Sequence, residues 1–299
     1  MIFDAHVKPY VWPVEKKVIA ERKKRMKRSN VLSTKLGIEK FLPAFFREDP
    51  IDKSDFLIKE MDKHGISKAL VTSAILHVSN DFIAGMINRY EDRLIGFGLW
   101  LHSNTLDGFK PEEAAEEVRR AIKDLGLRGI GEWALKDLYP IPPHEIHLRR
   151  EFTIIMNMIA KLGVPVLFHA GWSPFPSPLR YSDPMIIDDI ACIYPEVPII
   201  IGHSAKTDFY FHSRAIMVAK QHDNIYLETS HQPAKNIEKM IQQVGADRCL
   251  FATNWMPPGH SGYMPNIYKQ RLETLKKIKM TEEEQEMFLY KNLKNLLDS

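Results

Sequence analysis

From residue 52 onward, short apolar segments rich in β-branched residues alternate with amphipathic helical patterns. Strands that alternate with helices in this way pair in parallel within one sheet. Together with an apolar segment at the N-terminus, the pattern predicts eight strands, at residues 2–7, 68–74, 94–101, 127–133, 164–169, 197–203, 224–229 and 248–253. Eight such strands in 299 residues favour an α/β fold of the (β/α)8 TIM-barrel type. A doubly wound open sheet is the alternative, but no glycine-rich phosphate loop follows any of these strands.

Two of the predicted helices have recognisable ends. In residues 110–126, Pro111 falls in the first turn and Gly126 marks the end. In residues 281–297, Thr281 and Glu284 have the spacing of a capping box, in which each side chain hydrogen-bonds the other residue's backbone N–H. The sequence therefore predicts a helix in each segment, the second one closing the chain.

Residues 10–50 interrupt the repeat, as an insertion between the first strand and the first helix. A loop at the C-terminal end of a barrel strand lies over the active-site mouth, so we expect a lid-like flap there. Residues 15–28 carry eight Lys or Arg and two Glu, a net charge of +6. This segment is either a solvated helix face or a basic flap that attracts an anionic substrate. Nucleic-acid binding is the weakest interpretation, because no aromatic residues are interleaved with the charges.

The composition is that of a soluble globular protein, with 44% hydrophobic and 26% charged residues. No apolar run is long enough to span a bilayer, and the N-terminus does not have the layout of a signal peptide. Cys192 and Cys249 fall in apolar stretches, where we expect buried, reduced thiols. These features favour a cytoplasmic protein without a membrane partner, and they leave a homo-oligomer open.

Six histidines lie at or just beyond the ends of predicted strands: His6, His77, His102, His169, His203 and His231. Glu132 ends the fourth strand and Asn254 the eighth, at the same level. The carboxyl ends of the strands form the active-site face of a barrel enzyme. The sequence therefore predicts an active site at this face.

The histidines are not equivalent candidates. His6 is followed two positions later by Lys8, and alternation along a strand places both side chains on the same side. His169 and His203 each close an apolar strand before a turn of small residues, which favours a ligand or catalytic role. For His77, His102 and His231 a structural hydrogen-bonding role is favoured, with His231 kept as a candidate substrate contact.

Five segments, in this order and at these spacings, resemble the amidohydrolase superfamily: "FDAH", "PVLFHAG", "IIIGHSA", "NIYLETS" and "RCLFATNW". The likeness is strongest to the amidohydrolase-related branch, which contains metal-dependent hydrolases and the decarboxylases of aminocarboxymuconate semialdehyde and hydroxybenzoates. It extends over essentially the whole chain. The resemblance implies a single barrel domain over residues 1–299, with residues 10–50 as a lid-like insertion.

The family pattern is His-x-His after the first strand, His after the fifth and sixth strands, and Asp after the eighth. His6, His169 and His203 match it, whereas Lys8 and Asn254 replace a histidine and the aspartate. An amide cannot accept a proton at neutral pH, so Asn254 cannot act as the aspartate base. A protonated Lys8 would lie where a cation is normally bound, and the two changes of charge could offset each other.

The resemblance implies a divalent metal, most simply Zn²⁺. Some branches of the superfamily use a glutamate after the fourth strand as a ligand. The set His6, Glu132, His169 and His203 is adequate for Zn²⁺, provided that Lys8 swings aside or is neutral.

The function favoured by these residues is a metal-dependent hydrolase acting on a small carbonyl or carboxylated substrate, with Glu132 as ligand or base. The alternative is a non-oxidative decarboxylase, in which the metal or Lys8 holds the carboxylate and a histidine protonates the carbanion. Lys8, Glu132 and Asn254 are the candidate catalytic residues in either case. Arg180 is a candidate carboxylate clamp, although a loop salt bridge explains it equally well. A catalytically decayed barrel that serves as a binding protein is the rival, because two of five motif positions differ.

Overall fold

A computed structural model gives the structure of the chain and describes residues 1–12, 50–73, 78–99, 110–138, 141–172, 178–260 and 262–298. The strands, numbered in chain order, are β1 Phe3–Val7, β2 Tyr10–Val11, β3 Ile51–Asp52, β4 Lys68–Thr72, β5 Leu94–Gly98, β6 Gly129–Trp133, β7 Val166–His169, β8 Ile199–Gly202, β9 Ile225–Glu228 and β10 Cys249–Leu250. Each of the eight predicted strands contains one observed strand.

Eight strands form one parallel sheet in the order β1-β4-β5-β6-β7-β8-β9-β10. The two end strands of this order are also joined. The amide of Ala5 donates to the carbonyl of Phe251 at 2.9 Å, and the amide of Lys8 donates to the carbonyl of Trp255 at 2.8 Å. These bonds bring the first strand against the chain that follows the last one, so the sheet closes. The predicted (β/α)8 barrel is confirmed, and the open sheet is excluded.

Helices follow most strands and lie outside the barrel. They are α1 Ser54–His64, α2 Asn80–Arg89, α3 Pro111–Lys123, α4 Arg150–Leu162, α5 Met185–Ile193, α6 Phe209–Gln221, α7 Ala234–Val244, α8 Ile267–Leu275, α9 Glu282–Glu286 and α10 Asn292–Asp298, with a π-helical turn at Met287–Lys291. Pro111 is the first residue of α3, as predicted. The capping box is also present, since Thr281 Oγ1 accepts from the Glu284 amide at 3.2 Å and Glu284 Oε2 accepts from the Thr281 amide at 2.7 Å.

The barrel interior is filled by alternate strand residues. Ile200 of β8 packs in one buried cluster with Leu70, Phe97, Leu167 and Leu250 from other strands. Its neighbours on β8 belong instead to the cluster beneath the helices. Burying one such side chain stabilises the fold by about 2 kcal/mol. Leucines of α10 join the interior cluster and close the end of the barrel opposite to the carboxyl ends of the strands.

The insertion begins and ends on a short antiparallel ribbon, in which Tyr10 pairs with Asp52 and Val11 with Ile51. Residues 13–49, which include the basic segment 15–28, lie outside the described residues, as do His77 and His102. The lid over the mouth therefore stays a prediction. Cys192 and Cys249 are free thiols; Cys249 is buried as expected, whereas Cys192 lies exposed near the end of α5, so the expectation of burial is wrong for Cys192. Among the helices of the described residues, none combines the length and the apolar composition that crossing a bilayer requires.

Candidate active site

Side chains from the carboxyl ends of the barrel strands meet in one buried cluster. Its members predicted from the sequence are His6, Lys8, Glu132, His169, His203 and Asn254, each at most 6% exposed. The rings of His169 and His203 lie 5.1 Å apart between centroids, and those of His6 and His203 stack at the same distance. The strand ends therefore place these residues within contact of one another, as the barrel predicts.

Lys8 lies at the centre of this cluster. Its Nζ is 2.7 Å from Glu132 Oε2, 2.9 Å from His6 Nε2 and 3.0 Å from Asn254 Oδ1. A lysine ammonium has three N–H donors, and here each has an acceptor. The backbone bond from Lys8 to Trp255 fixes this arrangement, because it holds the end of β1 beside the residue that follows Asn254.

Asn254 is oriented by a second hydrogen bond. Its Nδ2 donates to His231 Nε2 at 3.0 Å, which leaves Oδ1 directed at Lys8. The backbone of Asn254 is left-handed, with φ 52°, a conformation that asparagine adopts more readily than most residues. Burial, with a smaller contribution from His203, lowers the pKa of His231 to about 3, so this ring is neutral and Nε2 can accept. The structure places His231, the candidate substrate contact, in hydrogen-bond contact with Asn254, and its role toward a substrate stays a prediction.

Glu132 connects the two halves of the cluster. Its Oε2 faces Lys8, and its Oε1 accepts hydrogen bonds from His169 Nδ1 and from His203 Nε2, the latter at 3.0 Å. Burial alone would raise the pKa of this carboxyl. The nearby charge of Lys8 and the histidines outweighs burial and holds the pKa well below its ordinary value. Glu132 is therefore an ionised carboxylate with both oxygens occupied.

Glu228, at the end of β9, is a buried member of the candidate site that was not predicted from the sequence. It is fully buried, its Oε2 lies 3.3 Å from His6 Nδ1, and its Oε1 accepts from the Ser230 amide at 2.6 Å. It also accepts a hydrogen bond from the backbone amide of His203. Glu228 therefore places a proton on His6 Nδ1 and turns the lone pair of Nε2 toward Lys8. The segment "NIYLETS" contained an indication of this role, because Glu228 ends an apolar strand there, as Glu132 does in its own strand.

His203 begins an unusual turn. Four consecutive residues, His203 to Lys206, have positive φ between 43° and 64°. Gln232 Nε2 stabilises the turn by donating to the carbonyls of His203 and Lys206, each at 2.7 Å. Gly171 lies against it, since a Cβ there would come within 2.5 Å of the Ala205 carbonyl oxygen. Non-glycine residues in this region are strained, and such strain concentrates at functional sites.

Lys206, at the end of this turn, is a second lysine near the cluster. Its Nζ donates to the Trp172 carbonyl at 2.5 Å and lies 4.4 Å from the centre of the indole ring. Burial lowers its pKa to about 8, with Lys8 and Lys136 adding to the effect and Glu132 opposing it. Arg180, the predicted clamp, is exposed and its guanidinium lies 5.3 Å above the Tyr181 ring.

Two groups of side chains in the described residues have the donor atoms for a divalent metal. They are His6 with His203 and Glu228, and Glu132 with His169 and His203; within each group the donor atoms lie within 4.8 Å of one another. His169 Nε2 is buried and has no hydrogen-bond partner among the described residues. Burial lowers the pKa of His169 to about 4 despite the adjacent Glu132, so the ring is a neutral imidazole.

Comparisons with known proteins agree with this architecture. The sequence model of the family described as Amidohydrolase matches residues 4–297. Gamma-resorcylate decarboxylase from Polaromonas sp. (strain JS666 / ATCC BAA-500) is 22% identical over 261 residues, which cover 69% of this chain and 77% of that protein.

Two solved structures share the fold over nearly their whole lengths. 5-Carboxyvanillate decarboxylase from Sphingomonas paucimobilis has a TM-score of 0.65 at 13% identity and covers 99% of this chain and 98% of its own. Dihydroxybenzoic acid decarboxylase from Polaromonas sp. JS666, with bound manganese and the inhibitor 2-nitroresorcinol, has a TM-score of 0.62 at 18% identity and covers 100% and 97%. The family match spans nearly the whole chain and agrees with the barrel and the site. The chain therefore belongs to the amidohydrolase family and is an enzyme of the amidohydrolase superfamily.

Proposed function

We propose that the protein is a non-oxidative decarboxylase of a small aromatic hydroxycarboxylate. The sequence alone favoured hydrolysis, with decarboxylation as the alternative. The similar proteins described above support the alternative, because they are decarboxylases of a resorcylate, a carboxyvanillate and a dihydroxybenzoate.

The observation that carries the proposal is the pairing of a fixed positive charge with an acid–base pair in one buried cluster. The charge is shared by Lys8 and His6, and the acid–base pair is His169 with Glu132. Decarboxylation forms a C–H bond and breaks the C–C bond to the carboxylate, whose electron pair returns to the ring as CO2 leaves. The reaction needs a proton delivered to carbon and a cation near the developing negative charge.

His169 is suited to the proton transfer. Glu132 Oε1 fixes the proton on His169 Nδ1, which leaves Nε2 as the basic nitrogen. In the proposed step, Nε2 takes the proton of a substrate hydroxyl next to the carboxylate and returns it to the ring carbon. The positive charge beside Glu132 stabilises the oxyanion that this leaves on the substrate.

Hydrolysis has less support from the site. It requires a base that activates water, and the family's aspartate is replaced by Asn254. Both polar atoms of the Asn254 amide already have hydrogen-bond partners: Oδ1 accepts from Lys8, and Nδ2 donates to His231. The predicted ligand set for Zn²⁺ also does not fit while Lys8 contacts two of its members, His6 and Glu132. No step of the proposed mechanism therefore uses a metal.

Two described residues at the mouth suit an aromatic carboxylate. Trp172 is 48% exposed and presents an indole face, and Lys206 supplies a positive charge beside it. Arg180, which is exposed, stays a candidate for binding the carboxylate of a substrate that arrives from solvent. The partner in this proposal is a small anionic molecule, in a cytoplasm where both cysteines are reduced.

The test is an assay of the purified protein on a panel of hydroxybenzoates, with lactones and amides of similar size as the hydrolysis panel. Each assay is run with added Mn²⁺ and with a chelator, so the outcome does not depend on metal content. We expect CO2 release and, in D2O, one deuterium at the carbon that carried the carboxylate. His169→Asn should abolish turnover with the fold unchanged by circular dichroism. Turnover of the hydrolysis panel alone would overturn the proposal, and tight binding without turnover would identify a decayed barrel.

A further inference from the structure

We propose that the ammonium of Lys8 takes the place of the divalent cation in this barrel, so that the site works with a built-in monovalent cation and no resident metal. This inference goes beyond the proposed function, because it concerns the charge at the centre of the site whatever reaction takes place there. It rests on the contacts of Lys8 and on the two side chains that orient its acceptors.

Lys8 occupies the position that a metal ion would need. Lys8 Nζ contacts Glu132 Oε2, His6 Nε2 and Asn254 Oδ1 at 2.7 to 3.0 Å. Metal ligands surround an ion at about 2.0 to 2.2 Å. An ion bound to the same oxygen of Glu132 and the same nitrogen of His6 would therefore lie within contact distance of the ammonium. Two cations at that separation in a buried site repel strongly.

Neighbouring side chains orient the acceptors of Lys8 toward its ammonium. His231 turns the oxygen of Asn254 toward Lys8, and Glu228 turns the lone pair of His6 toward it. The amide oxygen of Asn254 is a neutral acceptor, and among the described residues Glu132 is the single carboxylate that touches the ammonium. One carboxylate, one amide oxygen and the imidazole that shares a proton with Lys8 match a single positive charge. An aspartate at position 254 would add a second negative charge, as a divalent ion prefers.

Lys8 and His6 share one proton. Lys8 Nζ and His6 Nε2 lie 2.9 Å apart, so one of the two must accept a hydrogen bond from the other. Whichever of them holds the shared proton, the pair carries one positive charge. Glu132 therefore faces a permanent single charge at the position that the ligand set would offer to an ion.

The alternative is a metal on Glu132, His169 and His203. The unpartnered Nε2 of His169 is the feature that favours it. However, an ion there would share Glu132 with the ammonium, and Lys8, which is 4% exposed, could withdraw only by breaking its contacts with Glu132, His6 and Asn254. Leaving a buried charge unpaired is strongly unfavourable, so the lysine holds its position.

The experiment measures metal content and affinity, which do not depend on turnover. Wild-type protein prepared without chelator is analysed by elemental analysis and titrated with Mn²⁺ and Zn²⁺ by calorimetry, beside Lys8→Ala and the double variant Lys8→His/Asn254→Asp. We expect far less than one metal per wild-type chain and affinity tighter by about a hundredfold in Lys8→Ala, since the repulsion is removed and the ligands are freed. The double variant should bind tighter still.

Two controls make the result decisive. Lys206→Met removes a nearby positive charge that does not touch Glu132, so affinity should change less than about threefold if position rather than overall charge matters. Lys8→Met keeps the volume filled and covers the case in which Lys8→Ala does not fold; it too should bind metal more tightly than wild type. One tightly bound metal per wild-type chain, or equal affinity in the wild type and the Lys8 variants, would overturn the inference. Decarboxylation could still be found in that case, so the two proposals fail separately.

Discussion

Lys8 Nζ donates a hydrogen bond to Asn254 Oδ1 at 3.0 Å, joining residues 246 positions apart in the chain. These are the two positions at which the sequence departs from the family pattern. Their contact gives the two departures one physical cause, because an ammonium needs an acceptor where a metal ion would need an anionic ligand. The substitutions therefore act as a pair, and neither is explained by loss of function at its own position.

The first prediction is that the two positions are energetically coupled. Asn254→Asp alone should lower the free energy of unfolding by about 1 to 3 kcal/mol, because it adds a buried charge and presents a carboxylate oxygen to His231 Nε2. The pair Lys8→His/Asn254→Asp should bind Zn²⁺ more tightly than the single effects add up to. Calorimetric titration and urea unfolding of the four proteins measure both quantities. Additive single effects would show that the contact does not couple them.

The architecture could be predicted from the sequence because it depends on local periodicity. Alternating apolar strands and helices located all eight barrel strands, and alternation along β1 placed His6 and Lys8 on one side. The contacts that define the site could not be predicted in this way. The bond from Lys8 to Asn254, and that from His231 to Asn254, depend on how the closed barrel aligns distant strand ends.

The contacts of Glu228 could not be predicted from the sequence either. A glutamate at the end of an apolar strand is visible in the sequence, but its partners are not. They lie 222 positions away at His6 and 25 positions away at the His203 amide. Only the three-dimensional arrangement shows that this carboxylate orients the imidazole that faces Lys8.

The second prediction concerns Glu228 as a positioning residue. Glu228→Gln replaces an acceptor-only carboxylate, whose partners are the His203 and Ser230 amides and the His6 ring. The NH2 group of the glutamine then faces at least one of these N–H donors and leaves it without an acceptor. The free energy of unfolding should therefore fall by about 2 to 4 kcal/mol. The matched control is Glu116→Gln, which breaks an exposed ion pair with Arg119 and should cost less than about 1 kcal/mol. Equal losses in the two variants would contradict the role of Glu228.

The third prediction is that the two thiols differ in reactivity. Cys249 is fully buried, and burial raises the pKa of its thiol to about 12, whereas Cys192 is exposed. Since the thiolate is the reactive form, a disulfide reagent such as dithionitrobenzoate should modify one thiol in the native protein and two in urea. Cys192→Ser should remove the fast phase. Modification of Cys249 at a comparable rate under native conditions would show that the strand is open to reagent.

The last prediction concerns pH and Asp4, which lies in β1 beneath the site. Asp4 is fully buried, and its carboxylate accepts hydrogen bonds from the Thr253 hydroxyl and amide, the latter at 3.0 Å. Burial raises its pKa to about 6 from the ordinary 3.8, although these hydrogen bonds oppose the shift. The folded state therefore holds this proton more tightly than the unfolded state does. Ionisation of Asp4 consequently costs stability as the pH rises from 3.8 to about 6.

That pKa difference corresponds to roughly 3 kcal/mol of free energy of unfolding, present below pH 4 and lost above pH 6. Asp4→Asn removes the ionisation and keeps a group of the same shape beside Thr253. The free energy of unfolding of the wild type should therefore fall by roughly 3 kcal/mol relative to Asp4→Asn between pH 4 and pH 7. Urea unfolding of both proteins at half-unit steps of pH measures this difference. Because every other titrating group is common to the two proteins, parallel pH profiles would mean that Asp4 ionises with an ordinary pKa in the folded state.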